Sequence, residues 1–317
     1  MRMTGMTFQN KENGRVAAVV VTYNRVQMLR QCLAALRAQS APCDVLVVDN
    51  ASTDDTAAVV QQLRQSDSTV YYRSTGANLG GAGGFNFGMR WAVEAGYRFV
   101  WVMDDDCFPK PDALEKLLDA DRVLAGDYGW LSSVALWTDG RECRMNRPKI
   151  RKSFYEHIEL LQDGILQAEQ ATFVSLFLRA ETVCAVGLPI RDFFIWGDDI
   201  EYTRRITLQN ALPSYVAGQS QVVHAMKSNS GSNLAVDSIE RIDRYRLAFR
   251  NEAYIYRREG LKGRCYYIAK RGRDFLWVLT RAKDHRLKRL ATLLRGVAQG
   301  ICFAPEVEHL SKRTLER

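Results

Sequence analysis

FVWVMDDD, from Phe99 to Asp106, runs five apolar residues straight into three consecutive aspartates. An apolar run without alternation reads as a strand buried on both faces of a parallel sheet, and the acids mark where it emerges. Ligands of open α/β sheets collect at that carboxyl end. Three adjoining carboxylates repel one another unless a cation or hydrogen-bond donors hold them. Asp104 and Asp106, two apart, can grip one hard divalent ion, with substrate phosphate oxygens filling its remaining positions. A solvated acidic turn ahead of Pro109 and Pro111 is the plainer alternative, and the buried strand argues against it.

Upstream, the β-branched runs Val16 to Tyr23 and Val45 to Asp49 predict two more buried strands, and Val70 to Arg73 a short one. Helical spacing falls between them, at Val26 to Ala38, Asp54 to Leu63 and Phe85 to Ala95. Strand and helix alternate through four strands, an α/β layout with a mostly parallel central sheet. The stretch NLGGAGGF, Asn78 to Phe85, precedes the third helix. It fits neither the GxGxxG nor the GxxxxGK template, so dinucleotide oxidoreductases and P-loop enzymes are excluded. Its glycines, Gly81 among them, permit close backbone approach to a ligand or a positive φ, a flexible turn being the simple alternative. Asn50-Ala51-Ser52 matches the glycosylation acceptor pattern, which is discounted in a chain expected to stay in the cytoplasm.

Downstream order loosens. A helix over Asp112 to Asp119, strands at Trp130 to Trp137 and Thr172 to Leu178, and a basic polar stretch from Arg141 to Lys152 suggest a less parallel half. Trp196-Gly197-Asp198-Asp199-Ile200-Glu201-Tyr202 opens a helix. Asp198 with Glu201 is an acidic relative of the capping box, which leaves Asp199 free to act as general base if it faces a cleft. His224 ends an apolar stretch from Tyr215 and becomes a candidate ligand only if a metal sits at Asp104 and Asp106.

The 317 residues are 47% hydrophobic and 25% charged, an ordinary globular composition that rules out disorder and low complexity. Seven cysteines without a CxxC spacing indicate neither a disulfide framework nor a thiolate zinc site. The polar N-terminus, Met1 to Arg15, and the lack of a long apolar run predict a cytoplasmic chain without leader or membrane span. Charge is lopsided: residues 1–240 hold 24 Lys and Arg against 28 acids, residues 241–317 hold 20 against 8. Aromatics interleave with the basic residues of the helical tail, which fits a helix pair on anionic lipid or a solvated face packed on the body. Nucleic acid is not expected, for want of any zinc, RRM or helix-turn-helix signature.

Together these segments resemble family 2 of the inverting glycosyltransferases, in order from Val16 to about Asn233. Thr22, Tyr23, Asn24 and Arg25 are similar to the family's first nucleotide motif, and Asp49, Asn50, Ala51, Ser52, Thr53 and Asp54 to its second, with Asp49 at the uracil or ribose. Asp104-Asp105-Asp106 is similar to its DxD metal motif, Trp196 to Glu201 to its acidic base motif, and His224 to a late metal ligand. The resemblance implies a GT-A fold over residues 1–236, with a nucleotide half at about 16–106 and an acceptor half at about 107–236, followed by a helical region over 237–317. It implies Mg2+ or Mn2+ at Asp104, Asp106 and His224, and donor contacts from Thr22, Tyr23, Arg25, Asp49, Asn50, Ser52, Asn78, Gly81, Asp104 and Asp105. Asp199, beside Asp198, is the implied base, and Trp196 and Glu201, with Phe193 and Phe194 near, would meet the acceptor. NLGGAGGFNFG with WGDDIEY looks most like transferases that use UDP-galactofuranose for cell-wall galactan, and next like rhamnosyltransferases using dTDP-rhamnose. A lipid-linked or cell-envelope glycan acceptor at the inner membrane face follows from that likeness. The rival of another class is a nucleotide-sugar sensor without a working base.

Overall fold

The structure, a computed structural model, describes residues 15–310. Met1 to Gly14, which carry the reading of a polar N-terminus, and residues 311–317, the end of the basic tail, lie outside the described residues.

Four parallel-paired strands, β1 (Val16–Thr22), β2 (Asp44–Asp49), β3 (Val70–Ser74) and β4 (Phe99–Asp104), form one half of a continuous sheet. Every β1 residue is buried. Val16, Ala18 and Val20 face Leu29, Leu33 and Leu36 of α1 (Val26–Arg37) and Leu114 and Leu117 of α4 (Ala113–Val123). Ala17, Val19 and Val21 face Phe85 and Met89 of α3 (Gly80–Glu94). Helices cover both faces, and for that reason the strands read as unbroken apolar runs. The remaining helix of this half, α2 (Thr56–Ser66), flanks β3.

α3 begins five residues before the position expected from periodicity, because the glycine run is part of the helix. A Cβ on Gly84 would stand 2.5 Å from Val21 Cγ1, and one on Gly88 2.3 Å from Val19 Cγ1. These glycines bring the helix down onto the sheet, whereas Gly81 faces open space.

The second half is mixed: β5 (Cys107–Pro109), β6 (Leu131–Leu136), β7 (Lys149–Ile150), β8 (Ile165–Gln170), β9 (Leu176–Arg179) and β10 (Tyr215–His224). Strand order is β3-β2-β1-β4-β9-β6-β10-β8-β7, with β5 on the end of β10. β9 runs antiparallel between β4 and β6 and joins the two halves. Two short helices follow β9, α5 (Ala180–Val186) and α6 (Asp198–Arg204).

From Ile239 the chain is helical, as its periodicity predicts: α7 (Ile239–Arg257), α8 (Gly260–Arg281) and α9 (Arg286–Cys302). α7 docks on the body. Arg204 reaches Glu169 at 2.8 Å and Glu259, just past α7, at 2.7 Å. α9 lies close against α7 because Gly300 leaves no room for more, a Cβ there falling 2.5 Å from Ala253 Cβ. An extended strap, residues 303–310, returns to the body, where Glu308 O accepts Leu188 N–H at 2.8 Å and Leu310 joins the core. Among the described residues no helix is long and apolar enough to cross a membrane.

Candidate active site

Parallel registry alone sets the acids in a row. Thr22 pairs with Asp49 and Val21 with Asp104, so β1, β2 and β4 end side by side. β5 then folds back antiparallel to the end of β10, pairing Cys107 with His224, and the Ala225 amide donates to Asp106 O at 2.9 Å. In this way residues 118 apart in sequence meet: His224 Nε2 lies 3.1 Å from Asp106 Oδ1.

Every carboxylate oxygen of Asp105 and Asp106 has a partner. Thr22 Oγ1 donates to Asp105 Oδ2 at 2.7 Å, while Arg25 Nη1 donates to Asp105 Oδ1 at 3.2 Å and Asp106 Oδ2 at 2.6 Å. Burial raises Asp104 to about 7, helped by the charge of Asp106, and raises Asp105 to about 6 in spite of Thr22 and Arg25. Burial acts the same way on Asp106, but His224 and Arg25 outweigh it and hold that carboxyl down at about 2. Burial would lower His224, yet its bond to Asp106 leads the interactions that lift it to about 10. Ligand atoms of Asp104, Asp106 and His224 lie within 4.8 Å of one another. Two carboxylate oxygens and an imidazole nitrogen, this close, suit a divalent cation.

Behind His224 stands a set of residues that the sequence did not flag. His224 Nδ1 is 2.7 Å from Asn146 Oδ1, Asn146 Nδ2 donates to Thr172 Oγ1 at 2.8 Å, and Cys143 Sγ lies 2.9 Å from the same Asn146 oxygen. An Nδ1–H donated to Asn146 leaves Nε2 as the ring nitrogen turned to Asp106. Asn146 lies in the basic stretch between Arg141 and Lys152, 78 residues from its partner, and no local pattern announces it.

Beside the acids lies the surface expected to hold the nucleotide. Buried Asp49 accepts Tyr72 Oη–H at 2.6 Å and the Ser52 amide at 2.8 Å. Ser52 Oγ accepts the Asn24 amide at 2.9 Å and Asn24 Oδ1 the Thr53 amide at 2.7 Å, tying the loops after β1 and β2 together. Tyr23 is exposed above them. Asn50 is buried with its amide on Gly80 O at 2.9 Å, and Asn78 Oδ1 accepts the Gly80 amide at 2.9 Å. Both side chains shape the loop entering α3.

The turn before α6 meets that same loop. Ala82 N–H donates to Phe194 O at 3.2 Å, and Gly80, at φ +71°, could not carry a Cβ, which would fall 2.0 Å from that oxygen. Phe194, Trp196 and Gly197 all have positive φ, at +64°, +66° and +87°. Buried Asn251 of α7 clamps the turn, its Nδ2 donating to the carbonyls of Phe193, Ile195 and Trp196 at 3.0, 3.2 and 2.8 Å. Gly197 caps α6 by backbone alone, so the expected capping box does not form. Glu201 is also corrected. It is 2% exposed and gives both oxygens to Arg205, at 2.9 and 3.0 Å, so it cannot meet an acceptor. Phe193 is core, and Trp196 packs edge-on against Tyr245 at 5.0 Å with Arg241 over its ring, leaving Phe194 as the exposed aromatic.

Burial raises Asp199 to about 6, although the Ile200 amide donates to its Oδ1 at 2.7 Å. Asp198 is pushed well above the carboxylate range by burial, by the charge of Asp199 and by that of Asp104. The charge of Asp104, at the end of β4, is thus felt at the start of α6. A buried acid, Asp198, and a half-buried one, Asp199, stand side by side with unequal proton affinity.

Residues 17–123 match the family model described as glycosyl transferase family 2. A galactofuranosyltransferase GlfT1 of Mycolicibacterium smegmatis is 28% identical over 262 residues, 78% of this chain and 84% of the relative. Its namesake from Mycobacterium tuberculosis H37Rv is 32% identical over 211 residues, 62% of this chain and 66% of the relative. Among solved structures, GalNAc-T7 with UDP, GalNAc and Mn2+ superposes with a TM-score of 0.57 at 12% identity, covering 78% of this chain and 52% of that one. At that identity the likeness is one of fold.

Proposed function

Since the chain is a glycosyltransferase built on a family 2 domain in a GT-A fold, we propose that it moves galactofuranose from UDP-galactofuranose to a hydroxyl of a lipid-linked or cell-envelope glycan, with inversion at the anomeric carbon. The observation that carries this reading is the convergence of Asp104, Asp106 and His224, with the charge of Asp104 felt by buried Asp198. The two galactofuranosyltransferase relatives favour the sugar.

Asp104, Asp106 and His224 would hold Mg2+ or Mn2+, which supplies a Lewis acid for the diphosphate leaving group. Asp49, with Tyr72 and the Ser52 amide fixing its carboxylate, takes the nucleoside, exposed Tyr23 lines the approach, and Thr22 holds Asp105 through its hydroxyl. Asp199, raised to about 6, is mostly ionised at neutral pH and accepts the acceptor hydroxyl's proton as that oxygen attacks C1 opposite the departing UDP. Burial and the charge of Asp199 favour the protonated form of Asp198, which leaves Asp199 the more readily ionised of the two. A single displacement of this kind inverts configuration and forms no covalent sugar–protein bond.

The acceptor's lipid explains an outer face of the molecule. Leu261, Ile268, Phe275, Leu276 and Leu279 of α8 are exposed and recur at helical spacing along one side. Residues 260–302 carry 11 Lys and Arg against 2 acids, a balance that opposes pairing with a second copy and suits an anionic membrane surface. The enzyme would then work at the inner face of the cell membrane.

The test is transfer from UDP-galactofuranose, UDP-galactopyranose and dTDP-rhamnose to a polyprenyl-diphosphate-linked glycan with Mn2+, the product's anomeric configuration being read by NMR. An inverted galactofuranosyl product is expected. A retained configuration overturns the mechanism, and preference for dTDP-rhamnose overturns the sugar.

A further inference from the structure

Asp106 has a partner at each oxygen: His224 at Oδ1, 3.1 Å away, and Arg25 at Oδ2, 2.6 Å away. His224 is itself a candidate ligand. Arg25 is different in kind. It sits just before α1, outside the helix at φ −140° and ψ 43°, with its side chain 52% exposed. One of its nitrogens bridges Asp106 and Asp105. A guanidinium at contact distance from a carboxylate neutralises the charge a divalent ion would need, and repels that ion across a few ångströms of partly buried space.

We propose that Arg25 is a built-in counter-ion of the acidic cluster, which must leave Asp105 and Asp106 before a divalent cation can be held there and which then turns to the donor's diphosphate. The inference rests on the metal reading above. Its logic is charge balance. Asp105 and Asp106 are buried and Asp104 nearly so, and without compensation they repel one another. Arg25 supplies compensation when nothing else does. The long stem and half-exposed head let it withdraw without disturbing β4, whereas Thr22 keeps Asp105 in place through its own 2.7 Å bond. Once freed, the guanidinium stands at the mouth of the same cleft, and its fork geometry suits a diphosphate. Donor binding and metal binding are then linked, because each relieves the cost of moving Arg25, and the linkage is reciprocal.

Mn2+ binding to the full chain, followed by the electron paramagnetic resonance of the free ion, tests this without reference to turnover. Four proteins are compared, the wild type, Arg25→Gln, Arg25→Lys and Asp106→Asn, each with and without UDP. Without nucleotide, R25Q is expected to bind Mn2+ roughly tenfold tighter than wild type, since a repelling unit charge is gone. R25K, whose single ammonium cannot bridge two carboxylates as well, should fall between them and serves should R25Q not fold. UDP should tighten Mn2+ binding more in the wild type than in R25Q. Equal or weaker Mn2+ binding by both R25Q and R25K, with D106N abolishing it, overturns the role of Arg25 and leaves the metal site standing. No saturable Mn2+ binding by wild type and R25Q, or binding by D106N as tight as wild type, overturns both.

Discussion

Replacing Asn251 by alanine tests whether the C-terminal helices take part in building the active site. Asn251 is fully buried, and its two amide hydrogens serve three carbonyls, those of Phe193, Ile195 and Trp196. At most two of those bonds can be well formed at once. Removing them costs about 1 kcal/mol each, and stranding buried carbonyls adds more, so Asn251→Ala should lose about 2 to 3 kcal/mol. For a chain of this size that lowers the melting temperature by roughly 3 to 5 °C. The turn it clamps holds Phe194 and Trp196 at positive φ, a conformation that persists only while its surroundings enforce it. Relaxation of the turn moves the start of α6, and a shift of about 1 Å in a catalytic group can cost on the order of a hundredfold in rate. Thr22 and Asp49 end the strands β1 and β2 and take no part in that turn, so UDP affinity should hold. Thermal melting, UDP calorimetry and turnover at a temperature where the variant is folded give the three numbers. Asn251→Asp keeps the volume but sets a carboxylate against three carbonyl oxygens, and should be worse. If N251A melts with the wild type, the clamp is not a clamp; if it melts early yet turns over normally, α7 supports the fold without placing the base.

The remaining expectations concern charge and lipid. Asp199→Asn should cut turnover by about 10²- to 10⁴-fold with UDP affinity intact, and the wild-type rate should climb as pH rises through about 6, where Asp199 loses its proton; a flat profile from pH 5 to 7 removes it as base. In EDTA, the folded protein should lose stability from pH 5 to 8, measured by urea titration. The raised groups Asp104, Asp105, Asp198 and Asp199 contribute fully only below the usual carboxylate value, and His224 is lost from the unfolded value upward, toward about 10. Asp106, lowered to about 2, contributes throughout that window and fails only in strong acid. Ile268→Glu with Leu276→Glu should release the protein from phosphatidylglycerol vesicles in flotation, and equal recovery with the wild type would rule out α8 as the lipid face.

The parallel half was legible because burial on both faces leaves one unmistakable pattern, the unbroken run of β1, β2 and β4. β8 escaped notice: Ile165–Gln170 mixes apolar and polar residues on a sheet with one flank near the surface, and nothing in it forbids a loop. The acids of β4 could be read as a site because they are adjacent in sequence. Partners brought in by the fold could not. Arg25 meets Asp106 across 81 residues, His224 meets Asn146 across 78, and Asn251 meets Trp196 across 55. Glu201 was misread for the converse reason, since a helical acid four residues from Arg205 looks the same whether it faces water or, as here, the core.

The insertion of β9 has a practical consequence for anyone who would dissect this protein by cutting it. The family match ends at residue 123, but β4 pairs on that side with residues 176–179. A fragment ended at the family boundary would therefore carry a bare, apolar strand margin at Phe99–Asp104, open to stacking with its own kind. Its insolubility would say nothing about whether the nucleotide half can fold, and the separate contributions of the two halves are better sought by point substitution than by scissors.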